Sequence, residues 1–425
     1  MSIPSPETIA RAELPNGIVV LARENQASPS VVVSGYLWAG SISELPVQAG
    51  LASLTSSMLM RGSERRTFGE INEALESVGA RLGFFAGVHS TGFGAKGLAE
   101  DVDLLLEILA DCLEHSVFPP AELEKLRGQV VTRLQRRAFD TEQMASLTFD
   151  SLLWPDHPYG RSVLGYEGTV AGLRREDVVD FHRRRYTPQG MTIAITGAVA
   201  PEAAIDKVRA TLGGWEDSVG IAAHERPPRV GLDERRTGHV RVPGKTQSNI
   251  VIGWPGVARC DADYYKTQLT NTVLGVFGMM GRLGDTIREE QGLAYYAYSQ
   301  LDAGLGQGSW SATAGVSPEN VERAVEAIRQ QVRRLREVPV PAEELADSQS
   351  YMTGSMPLRL ETNEGVARAL LDMERYGLGL DYLQRLPRLI DDVTVEDVQE
   401  MANKYLDPDV YALAVAGPDG PGQGE

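Results

Sequence analysis

The chain has 425 residues, more than one compact core normally takes up and about right for two or three domains of ordinary size. Hydrophobic residues make up 42% and charged residues 23%, the balance of a globular protein, so neither extended disorder nor a membrane-embedded chain is expected. The formal charge of -17 at pH 7 repels polyanions over most of the surface; this excludes nucleic acid and anionic membrane as partners and leaves a neutral or basic polypeptide compatible.

No apolar run approaches the roughly 18 residues that a bilayer span requires. The opening Met1-Ser2-Ile3-Pro4-Ser5-Pro6 has neither a basic patch nor an apolar stretch, so a cytoplasmic location is expected. Cys112 and Cys260 match no CxxC pattern and read as reduced structural thiols. The histidines, at 89, 115, 157, 182, 224 and 239, include no pair at the i, i+3 or i, i+4 spacing through which one helix face grips a metal.

In chain order, Asn16-Gly17 between apolar stretches predicts a hairpin turn, and the β-branched runs Ile18 to Leu21 and Val31 to Val33 predict strands. Thr67 as N-cap with Glu70 three residues on predicts a capped helix carrying Ile71, Leu75 and Val78 on one face, ended at Gly79. Pro119-Pro120 opens another helix, with Leu123, Leu126, Val130 and Leu134 as its apolar stripe.

A repeat with a period of roughly 220 residues organises the whole, far longer than the periods of solenoids. Glu176-Asp177-Val178 and the later run Met191 to Gly197 return as Glu396-Asp397-Val398 and Val410 to Gly417. Gly97-Leu98-Ala99-Glu100-Asp101-Val102 is echoed by Gly315 to Val321, and the strand Ser30 to Trp38 by Ser248 to Trp254. Two copies of one domain are therefore expected, over 1–216 and 239–425. The segment 217–238, with Pro227-Pro228 and the charged run Asp233 to Arg236, has linker composition, although a long surface loop has the same composition. Strands and helices within each copy predict an α+β fold of two homologous sandwich domains, each a mostly antiparallel sheet with helices packed on one face.

The run Gly40-Ser41-Ile42-Ser43-Glu44, then Gly50-Leu51-Ala52, then Met58 to Ser63, resembles the N-terminal signature of the inverted zinc peptidases, the family of pitrilysin, insulysin and the mitochondrial processing peptidase. In active members the helix after the Gly-Leu-Ala step carries HxxEH, two histidines that share a zinc ion and a glutamate that activates the metal-bound water. Here the five positions read Ser53-Leu54-Thr55-Ser56-Ser57. The family's third ligand, a Glu on a later helix, falls at Arg133, and an auxiliary Glu of that helix at Leu126. Hydroxyls are weak zinc ligands and a guanidinium repels the ion, so no zinc is expected in this chain. Ser53, Ser56 and Ser57 could instead be nucleophiles, but no G-x-S-x-G elbow is present and small polar filler on a helix face accounts for them.

The second half resembles a different part of the same family. Leu274 to Leu283 is similar to its glycine-rich loop, and Ile287 to Tyr296 to the following segment, whose Arg and Tyr hold the substrate backbone. The resemblance puts those roles on Arg288 and Tyr295. Both donate hydrogen bonds to a peptide carbonyl without a metal, while a helix-terminal Arg and a strand Tyr are also ordinary structural choices. Tyr295 and Tyr296 alternate across the strand, so one of them serves. Gly278 and Gly281 read as a mobile peptide-contacting loop or as a tight turn before a helix. The resemblance implies a non-catalytic subunit that binds extended peptide on an edge strand and pairs with a homologous HxxEH-bearing partner holding the zinc. A purely structural, core-like subunit with no substrate is the alternative.

Overall fold

The computed structural model describes residues 3–216, 227–276 and 281–418. The chain divides into two compact units, each containing sequence from both halves. The first comprises the described parts of Met1–Leu134, Ser162–Glu225 and Met356–Arg385. The second comprises those of Gln135–Arg161, Arg226–Ser355 and Leu386–Glu425.

The first unit is built on a six-stranded sheet: β1 (Ala10–Glu13), β2 (Val19–Glu24), β3 (Ser30–Leu37), β4 (Arg81–Ala86), β5 (Thr91–Leu98) and β6 (Thr192–Gly197), in the spatial order β1-β2-β6-β3-β5-β4. Only β2 and β6 run parallel. The first pair forms the expected hairpin, with Gly17 at φ +86° in its turn. On one face Val31, Val33, Ile193 and Ile195 meet the helices α1 (Leu51–Met58), α2 (Phe68–Glu76) and α3 (Val102–Glu114) in a single apolar core. The capping box of α2 is present, with Thr67 and Glu70 bonded reciprocally, and Gly79 lies at φ +65° just past its end. The helix α4 (Pro120–Arg137) starts at the proline pair and adds Leu123 and Leu126 to the same core.

The second unit repeats this plan with β7 (Arg236–Arg241), β8 (Ser248–Pro255), β9 (Ala294–Leu301), β10 (Ser309–Val316) and β11 (Ala412–Gly417), in the order β7-β11-β8-β10-β9. Here β7 and β11 are the parallel pair. β6 and β11 start 220 residues apart (412 minus 192), as the sequence period requires. Ile250, Ile252, Leu413 and Val415 face the core formed with the helices Val321–Glu337 and Val395–Tyr405.

Helices cover both faces of each sheet, a feature beyond the expected single helical layer. In the second unit α5 (Thr141–Leu153) presses Ala145, Phe149 and Leu153 onto Val251, Ala412 and Ala414, the residues that alternate with the core-facing set. In the first unit the helix Asn363–Arg375 lies on β3 and β6 in the corresponding place. The cause is visible in the strands: every residue of β6 and of β11 is buried, and a strand that is apolar on both faces needs cover on both. Part of the segment expected as linker, 217–226, lies outside the described residues, and its end, from Arg236, forms β7. Among the described residues no helix is long and apolar enough to cross a membrane.

Candidate functional site

The helix α1 begins after Gly50, which sits at φ +100° and has no side chain with which to cap the first turn. Glu44 does so instead. Its carboxylate is 7% exposed and accepts from the backbone N–H of Gly50 at 3.1 Å and of Ala52 at 2.5 Å, neutralising the positive end of the helix. Leu51, Leu54 and Met58 fix the inner face of α1 in the core.

The structure places Ser53, Ser56 and Ser57 on this helix, with Ser56 buried and the other two half-buried. Ser56 Oγ donates to the Ser53 carbonyl at 3.0 Å, and the hydroxyl of Thr55 is buried without a hydrogen-bond partner. Arg133 is exposed on α4, whereas Leu126, two turns earlier, belongs to the same apolar cluster as Leu54 and Met58. The helix Arg175–Arg185 packs on α1 and carries His182. That imidazole is committed elsewhere: Nε2 bonds the Leu113 carbonyl at 2.7 Å, the ring stacks on Tyr186, and burial pushes its pKa down to about 4. Among the described residues no group of three or more His, Cys, Asp or Glu is arranged to hold a metal ion.

In the second unit Arg288 lies in a π-helical turn, Gly284–Glu290, where the sequence suggested an ordinary helix end. The turn is stopped at Gly292 as expected: Gly292 has φ +59°, and the N–H of Leu293 reaches back to the Ile287 carbonyl at 2.9 Å. Arg288 is half-buried and pairs with Glu289 at 3.4 Å. Across the turn, β9 is the edge strand of its sheet, bonded to β10 on one side. The register skips one residue opposite Gly315 and Val316, so Tyr295 occupies a bulge and is 81% exposed. Tyr296 is engaged within its own unit: its hydroxyl accepts from Asn249 Nδ2, Asn249 Oδ1 accepts from Thr141 Oγ1 at 2.8 Å, and the ring stacks on Tyr298. Burial pushes its phenol up to about 12.

Gly278 lies outside the described residues. Gly281 has φ +95°, and a Cβ there would stand 2.5 Å from the Cα of Gly275, itself at φ +137°, an approach that only glycine allows at position 281. Beside it is a cavity of about 440 Å³ lined by Gly281, Arg282, Asp285, Glu343, Glu344 and Asp347 among others. Arg282 and Glu344 form a two-pronged ion pair in it, both bonds 2.8 Å long. Neither the π turn nor the capping role of Glu44 was visible in the sequence; Glu44 stood in the recognised signature but no pattern gave it a partner.

Residues 19–166 match the family model described as insulinase, peptidase family M16, and residues 172–352 match that of the peptidase M16 inactive domain. An uncharacterized zinc protease of Mycobacterium leprae is 28% identical over 96% of this chain and 92% of its own length. The beta subunit of the mitochondrial-processing peptidase of Blastocladiella emersonii is 23% identical over 95% of this chain and 88% of its own. The crystal structure of a peptidase M16 inactive domain from Pseudomonas fluorescens superposes with a TM-score of 0.88, covering 97% of this chain and 98% of that one at 24% identity, and so has the same fold.

Proposed function

Because the chain belongs to the insulinase family, peptidase M16, we propose that it is a catalytically inactive, peptide-binding subunit of a heteromeric zinc metallopeptidase, working in the cytoplasm with a homologous partner that carries HxxEH. What supports this reading is the α1 helix, which packs Leu51, Leu54 and Met58 into the core and carries Ser53, Ser56 and Ser57 at the positions that the sequence resemblance gives to the ligands and base. Neutral hydroxyls, one of them bonded to its own helix backbone, and an exposed guanidinium at Arg133 do not fit zinc. No step of hydrolysis is therefore assigned to this chain.

What the chain contributes is substrate binding. The outer side of β9 offers main-chain donors and acceptors to an extended peptide, which gives affinity with little sequence preference. Arg288 and Tyr295 flank the start of that strand and donate to peptide carbonyls, the guanidinium through a planar fork and the phenol through one O–H. Tyr295, exposed at the bulge, takes this role over Tyr296, which is half-buried with its ring stacked on Tyr298.

The test is reconstitution with an HxxEH-bearing homologue. The lone chain is expected to leave peptides intact, and Arg288→Ala or Tyr295→Phe to raise the KM of the assembled pair by about tenfold, the loss of one hydrogen bond to a peptide group. Turnover by the lone chain at the rate of the pair refutes the proposal. Pair activity indifferent to both substitutions favours a scaffold subunit with no substrate role.

A further inference from the structure

The helix Val321–Glu337 turns Ala324, Ala327, Ile328, Val332 and Leu335 into the core of the second unit. Gln331 stands in the middle of that stripe, 7% exposed, among apolar neighbours. Its Nε2 donates to Thr286 Oγ1 at 3.0 Å, while Oε1 is buried with no hydrogen-bond partner. A half-satisfied amide in an apolar stripe costs free energy, so stability does not explain it.

Thr286 lies inside the π turn and takes part in its closing bond. Its carbonyl accepts from the N–H of Gln291, five residues on, at 3.2 Å. Such a turn holds one residue more than an α turn, and π turns are found disproportionately at functional sites. One residue is worth roughly 100° of rotation about a helix axis, so restoring the α register would swing Arg288 well away from its present direction while Ile287 competes to stay in the core.

We propose that Gln331 is a positioning residue: by holding the Thr286 hydroxyl it fixes the π register, and the π register aims Arg288 at the peptide. The inference rests on the substrate role given to Arg288, and the test separates the two. Full-length Gln331→Leu and, independently, Thr286→Val are solved crystallographically and assayed with the HxxEH partner, each alone and combined with Arg288→Ala. The expected structure has an α turn over 284–290 with Arg288 displaced, and the expected kinetics are a rise in KM of about fivefold, unchanged kcat, and no further rise when Arg288 is already Ala. A π turn retained in both variants overturns the inference, as does a KM effect that persists undiminished in the Arg288→Ala background, which would mark a structural role. If Arg288→Ala alone leaves KM unchanged, the substrate reading of Arg288 fails, and the crystal structures still decide whether Gln331 sets the register.

Discussion

At the scale of single residues, charge placement carries consequences that the sequence does not announce. Asp150 on α5 is held in its neutral form: burial, and then the nearby charge of Asp302, push its carboxyl up to about 7 from an ordinary value of 3.8. Between those two values the folded state holds more protons than the unfolded chain, so this group makes the protein less stable as pH rises from 3.8 to 7, and the deficit is complete above 7. Asp150→Asn removes it. Urea denaturation is expected to show a gain roughly 2 kcal/mol larger at pH 8 than at pH 5; the same gain at both values would mean that Asp150 does not titrate as described. His182 acts on the acid side, since a buried imidazole lowered to about 4 gives up stability as pH falls below its ordinary 6.5. That Ser53, Ser56 and Ser57 share one helix was legible in the sequence, because the periodicity around Leu51, Leu54 and Met58 gives it. Partners were not. That His182 is tied to Leu113, or Tyr296 to Asn249, depends on contacts between distant segments.

At the scale of elements, local chemistry predicted local structure well and failed where tertiary contacts took over. The Thr67 capping box, the proline start of α4, the Gly17 hairpin and the Gly292 stop all appear where turn and cap chemistry put them. The π turn at Gly284–Glu290 and the bulge at Tyr295 do not follow from periodicity, since each adds one residue to an otherwise regular element and meets distant segments there, Gln331 at Thr286 in the turn and β10 beside the bulge. Capping of α1 is a case of the same kind. With Gly50 unable to serve, the helix depends on Glu44, six residues upstream. Glu44→Ala leaves the amides of Gly50 and Ala52 without their acceptor in a buried place and is expected to cost about 2 kcal/mol of stability by chemical denaturation. An unchanged midpoint would show that the contact contributes nothing.

At the scale of the whole molecule, the duplication was legible because it repeats sequence, and the order β7-β11-β8-β10-β9 matches β2-β6-β3-β5-β4 of the first sheet, which has β1 in addition. The exchange of helices was not. The period of about 220 residues suggests two consecutive domains, whereas α5 packs on the sheet of the later half and Asn363–Arg375 on that of the earlier. The signal was present in strands apolar on both faces, Ile193-Ala194-Ile195 and Ala412 to Ala416, but nothing in a strand says which helix will cover it. Apolar packing holds α1 in place, its Leu54 and Met58 lying in the same core as Leu126, so under the proposed reading no metal is required to keep it there. The most direct measurement is the zinc content of the purified lone chain, taken with its peptide-cleaving activity before and after chelation. Far less than one zinc per chain and no cleavage in either state is the predicted result; one tightly held zinc per chain, removed together with hydrolytic activity, would contradict it.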